Sequence, residues 1–138
     1  MAMKTAGYSG TPLIDKLGIK PTMKLLLISQ PVDYYSLIGK NVDEQLCRKN
    51  EIPHLVHLFV KTEKDFVAAM KKLKSVCKKN TAITIWVSWY KKSSKIATDV
   101  TEDVIRNYAL QNGLVDVKVC AVSDVWSGLK LVVPLVKR

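Results

Sequence analysis

Three short stretches of this chain are apolar almost throughout and do not alternate: residues 24–29, 55–60 and 83–89. A half-solvated strand alternates apolar and polar side chains, so an unbroken run of this length implies a strand covered on both faces. The last third changes period. Val115, Val117, Val119 and Ala121 alternate, a turn is expected over 123–127, and Leu129, Leu131, Val133 and Leu135 alternate again, the pattern of a terminal hairpin.

Helices are expected between these strands. Thr11 and Pro12 read as the capping hydroxyl and first-turn proline of a short helix, 12–17, stopped by Gly18. Residues 33–38 fit a brief helix closed by Gly39, and 42–47 carry a faint strand signal. Thr62 caps a helix whose Phe66, Val67, Met70, Leu73 and Cys77 recur at helical spacing, with Lys71, Lys72, Lys74, Lys78 and Lys79 on its other side and exit. Thr101, Glu102 and Asp103 open a further helix with Val104, Ile105 and Tyr108 on its buried face, ended by Asn112 and Gly113.

Helices alternating with strands that are buried on both faces predict an α/β domain. The expected form is a three-layer Rossmann-like sandwich with a mostly parallel sheet of five or six strands and a C-terminal antiparallel hairpin. A length of 138 residues with 48% hydrophobic content fits one domain over 1–138, with 1–10 as a flexible lead-in. No secretory leader is seen in the first residues, and no apolar run approaches the roughly 20 residues that span a bilayer. The expectation is a cytoplasmic protein with no membrane partner. Cys47, Cys77 and Cys120 are odd in number and widely spaced, which reads as reduced core thiols.

Several catalytic signatures fail on geometry. His54 and His57 lie three apart on a strand and so face opposite ways, no Cys-x-x-Cys pair accompanies them, and no metal site is expected. Ser88–Lys91 and Ser127–Lys130 match Ser-x-x-Lys, but that spacing shares a face only on a helix, and Ser75–Lys78 repeats it on an ordinary amphipathic one. After the first strand stand Ser29, Gln30 and Pro31 where a nucleotide fold places glycines, so no cofactor is predicted and catalytic residues stay unassigned.

In such sheets ligands sit beyond the carboxyl ends of the strands. Two loops expected there carry concentrated polar chemistry: Trp89, Lys91, Lys92, Ser94 and Lys95 in one, and Asp124, Trp126, Ser127 and Lys130 in the other. Lysines and hydroxyls beside aromatics suit a small anionic ligand. Equally, a surface loop is polar by default and tryptophans anchor packing. A net charge of +10 adds a general attraction to polyanions, so non-specific nucleic-acid binding is a further alternative.

Gly7-Tyr8-Ser9-Gly10-Thr11-Pro12-Leu13, Trp86-Val87-Ser88-Trp89 with Lys91, Lys92, Ser94 and Lys95, and Trp126-Ser127-Gly128-Leu129-Lys130 resemble a functionally uncharacterised family of small bacterial proteins. The resemblance spans both ends of the chain and departs most over 32–50. It implies a bacterial, cytosolic setting and no established activity. The strand order looks like the second half of a methyltransferase-type Rossmann sheet, implying 42–47, 24–29, 55–60, 83–89, 129–136, 114–122 across the sheet. Two functional expectations follow: a non-catalytic binding or regulatory module for a small anion, or a divergent S-adenosylmethionine-dependent enzyme.

Overall fold

A computed structural model describes residues 10–135. The expected flexible lead-in, apart from Gly10, lies outside the described residues. Five strands form one sheet in the order β1-β2-β3-β5-β4, namely Leu25–Ile28, Leu55–Phe59, Thr84–Tyr90, Trp126–Val132 and Val115–Ala121. Four helices accompany them among the described residues: α1 (Leu13–Leu17), α2 (Tyr34–Ile38), α3 (Glu63–Lys79) and α4 (Glu102–Gln111).

The order of these five strands agrees with the one the resemblance implied, but the sheet is mixed rather than mostly parallel. β1–β2 and β2–β3 pair parallel, whereas β3–β5 and β5–β4 pair antiparallel, because β5 inserts head-to-tail between β3 and β4. Two further expectations need correction. Residues 42–47 contribute a 3-10 turn, Asp43–Gln45, and a single parallel bridge from Leu46 to Leu25 instead of a strand. Thr11 does not cap α1, whose first flanking residue is Pro12 with no side-chain hydrogen bond.

The other helix signals act as their chemistry requires. Thr62 and Thr101 each accept a hydrogen bond from the backbone N–H three residues on, at 3.1 and 3.2 Å, and so open α3 and α4. Gly18 and Gly39 close α1 and α2 at φ 77° and 74°, a left-handed conformation that a side chain would resist.

Side-chain alternation along the strands divides the core in two. Val56, Leu58, Ile85, Val87, Trp89, Leu129 and Leu131 pack with Phe66, Met70 and Leu73 of α3 and Ile105 and Ala109 of α4. Leu25, Leu55, Phe59, Trp86 and Trp126 pack instead with Leu17 of α1 and Tyr34 and Ile38 of α2. The winding therefore reverses at β1/β2. From β1 the chain passes through α2 to the bridge at Leu46 on the outer side of β1, and from β2 it passes through α3, in the other cluster, toward β3. The carboxyl ends of β1, β2 and β3, with the start of β5, form one edge of the sheet.

Candidate functional site

β3 ends at Tyr90, opposite Trp126, and the Lys91 N–H donates to the Val125 carbonyl at 2.8 Å. The exit of β3 and the β4–β5 turn thus emerge side by side at the carboxyl edge. Beyond Lys91 the chain makes a 3-10 turn, Lys92–Ser94, ended by Lys95 at φ 61°. Ser94 Oγ donates to the Lys91 carbonyl at 2.6 Å and accepts from the Ile96 N–H at 3.2 Å, which fixes the turn. Thr98 Oγ1 donates to the Lys61 carbonyl at 2.7 Å, and Asp99 accepts from the Glu63 N–H at 2.7 Å, tying this loop to the start of α3. In the opposing turn Ser123 Oγ accepts from the Val125 and Trp126 N–H groups, both at 3.1 Å.

Between the β3–α4 loop, the first turn of α4 and Ser127 lies an open cavity of about 800 Å³. Of the nine residues singled out from the sequence, Trp89, Lys91, Lys92 and Ser127 line it. Trp89 and Ser127 are register partners and so share a face, and Trp89 is buried. The other five do not line this cavity. Trp126 belongs to the other core cluster, stacked on Tyr90 at 4.4 Å and edge-on to Phe59 at 4.9 Å. Lys130 pairs with Trp86 in register and with Lys118 across the β5–β4 ladder, several residues from the edge. Asp124 is exposed in the β4–β5 turn, Ser94 serves the loop backbone, and Lys95 closes the 3-10 turn.

Sequence reasoning placed neither Glu102 nor Asp103 at this site, although Thr101 as a helix cap brings the first turn of α4 to the same edge. Both carboxylates are engaged by Arg106, Asp103 at 2.8 Å, and the same guanidinium reaches Asp116 of β4 at 3.0 Å. The carboxylates, led by Asp116, hold the Arg106 guanidinium above its ordinary pKa. The acidic rim is thereby tied down along the helix, while Lys91 and Lys92 lie on the loop side. The helix dipole adds a partial positive charge at the same end of α4.

A second crevice, about 430 Å³, opens where the winding reverses and is lined by Ile28, Ser29, Phe59, Val60, Lys61 and Asp65. Ser29 holds φ 56°, so the turn after β1 adopts the left-handed form without a glycine.

The second feature missed from the sequence is buried. Tyr34 Oη shares a hydrogen bond with His57 Nδ1 at 2.8 Å, and His57 Nε2 shares one with Ser88 Oγ at 2.7 Å. All three residues are inaccessible to solvent, and the imidazole stacks on Phe59 with centroids 4.4 Å apart. Desolvation lowers the His57 pKa to about 3, so the ring is neutral, with both nitrogens occupied by protein. His54 is engaged separately, its Nδ1 accepting from the Lys24 N–H at 2.8 Å. The three cysteines are free and half-buried, Cys77 and Cys120 packed against the two core clusters and Cys47 outside both.

No protein-family model matches the chain, and no curated protein matches it. Its structure is similar to that of a protein in the NADB-Rossmann superfamily from Streptococcus agalactiae, with a TM-score of 0.53 and 12% identity over 88% of this chain and 68% of that one. That likeness carries the Rossmann-like fold alone. Among the described residues no helix is long and apolar enough to cross a membrane.

Proposed function

We propose that the chain is a small cytosolic binding or regulatory module that holds a small anion in the cavity beyond β3. The observation that carries this reading is the convergence of Lys91, Lys92 and Ser127 with the first turn of α4 around one space at the carboxyl edge. The two helix pairs, in separate core clusters, support reading the domain as a three-layer sandwich, in which that edge is where ligands collect. Lys95, Ser94, Asp124, Trp126 and Lys130 leave this site. Ser94 and Trp126 support it from behind by holding the loop and the start of β5.

The test is a thermal-shift panel of inorganic phosphate, nucleotides and dicarboxylates against the parent and Lys92→Glu. An anion that binds the native state alone raises the melting temperature. A saturable rise in the parent that Lys92→Glu abolishes supports the site. No rise with any anion, or an equal rise in both, removes it. Retention of oligonucleotides with steep salt dependence and no sequence preference would instead point to nucleic-acid association through net charge.

A second reading is favoured by the crevice at β1/β2, the place where a doubly wound sheet takes an adenosine-bearing cofactor. It would make the chain a divergent S-adenosylmethionine-dependent enzyme. Pro31 removes a backbone donor from the turn, and Ser29 stands where a glycine would let the cofactor approach the backbone more closely. Stabilisation by S-adenosylmethionine that persists in Lys92→Glu is the result that would select this reading over the first.

A further inference from the structure

At the amino edge of β3, opposite the lysine loop, a cavity of about 280 Å³ lies between the second half of α3, the end of α4 and the exit of β5. Its position follows from the register, since Val132 pairs with Thr84 at the start of β3 and Val133 lines the cavity. Met70, Lys74, Cys77 and Lys78 of α3 reach it because positions three, four and seven apart share a helix face. Met70, Leu114 and Val133 are buried and supply apolar walls, and the Tyr108 ring, edge-on to Phe66 at 5.2 Å, closes one side. Burial pushes the Cys77 thiol above its ordinary pKa, as an apolar setting requires. Among the described residues the charged side chains lining this space are Lys74 and Lys78, both cationic.

We propose that this cavity is a second ligand site, taking a small apolar carboxylate with its hydrocarbon body inside and its carboxylate against Lys74 and Lys78. A dry cavity of about 150 Å³ accommodates benzene, so at the same ratio this one holds about eleven non-hydrogen atoms. The helix C-termini nearby oppose an anion with about half a charge each, which two full ammonium charges outweigh. A medium-chain fatty acid and an arylpropanoic acid share the required chemistry. The site is independent of the cavity beyond β3.

Octanoate, octan-1-ol, octylamine and 3-phenylpropanoate are to be titrated into the full chain, following melting temperature and the alkylation rate of Cys77, read by peptide mass spectrometry at alkaline pH. Octanoate or 3-phenylpropanoate should raise the melting temperature saturably and slow Cys77 alkylation, and their ratio tells a flexible chain from a ring. Octan-1-ol should bind more weakly and octylamine least. The Lys74→Glu/Lys78→Glu double variant should weaken carboxylate binding about tenfold, and Cys77→Phe should fill the space and abolish it. Lys92→Glu should leave it unchanged, which separates this site from the one beyond β3. Cys77 left unprotected by both carboxylates, equal protection by octylamine, or indifference to the double charge reversal would overturn the proposal, and the alkylation readout keeps this so even if Cys77→Phe does not fold.

Discussion

Acidification should destabilise this protein through one buried ring, His57. His57 is neutral in the native state because burial holds its pKa down to about 3, against an ordinary value of 6.5. The unfolded chain takes up that proton as pH falls below 6.5, whereas the native chain refuses it until about 3. The associated stability is therefore intact above 6.5, falls between 6.5 and 3, and declines no further below, where both states are protonated. Each pH unit in that window removes about 1.4 kcal/mol, so a change from neutral pH to pH 5 should cost about 2 kcal/mol. With a urea m-value of about 2 kcal/mol/M the midpoint should shift by about 1 M. The assay is urea unfolding at several pH values for the parent and for His57→Gln, which keeps an amide between Tyr34 and Ser88 without a group that titrates. Every other ionisable side chain is common to the two proteins, so the difference between the two slopes isolates His57. Parallel pH profiles would refute the reasoning, even though the variant is less stable at every pH.

Two packing and capping predictions follow from equally local geometry. A methyl group at Gly128 would stand 3.1 Å from Val122 Cγ2 and 3.3 Å from Trp86 Cε3, both buried, so Gly128→Ala should destabilise through overpacking. A loss of about 1–3 kcal/mol is expected in chemical denaturation; an unchanged midpoint would mean that the Trp86 ring slides aside. Thr101→Ala removes the acceptor for the Val104 N–H at the head of α4 and should cost about 1 kcal/mol. Thr101→Ser should recover most of it, and a serine variant as weak as the alanine one would assign the loss to the methyl group rather than to the cap.

Much of the fold is legible in the sequence because the central strands have no alternation to misread. Leu25–Ile28, Leu55–Phe59 and Thr84–Tyr90 are covered on both sides, and threonine caps mark where α3 and α4 begin. The start of β5 is harder to see. On one of its faces stand Trp126, Gly128 and Lys130, and the last two hide the apolar surface they cover, so 126 and 127 look like part of a turn. The segment 42–47 rests on one bridge to Leu25, a long-range contact that leaves no periodic trace. The parallel share is overestimated for the same reason: the implied order already placed the hairpin strand next to β3, and once 42–47 contributes a bridge and not a strand, two of the four ladders are antiparallel.

The candidate site divides along the same line. Proximity in sequence gathers Trp89, Lys91, Trp126 and Ser127 into neighbouring loops, but side-chain direction reverses at every strand residue. Register then decides partnership: Trp89 meets Ser127, Tyr90 meets Trp126, and the two pairs go to opposite faces. One polar contact could nevertheless have been read without coordinates. His57 is the only polar residue in the apolar run 55–60, and Ser88 stands alone between Val87 and Trp89. A polar atom in a strand covered on both faces must find a partner among its neighbours or cost several kcal/mol. Thr84 of β3 is partly exposed, whereas Ser88 is buried, so His57 and Ser88 are each other's best solution across adjacent strands, and the 2.7 Å contact between them realises it. Tyr34 completes the chain from α2, because the second imidazole nitrogen faces the same requirement.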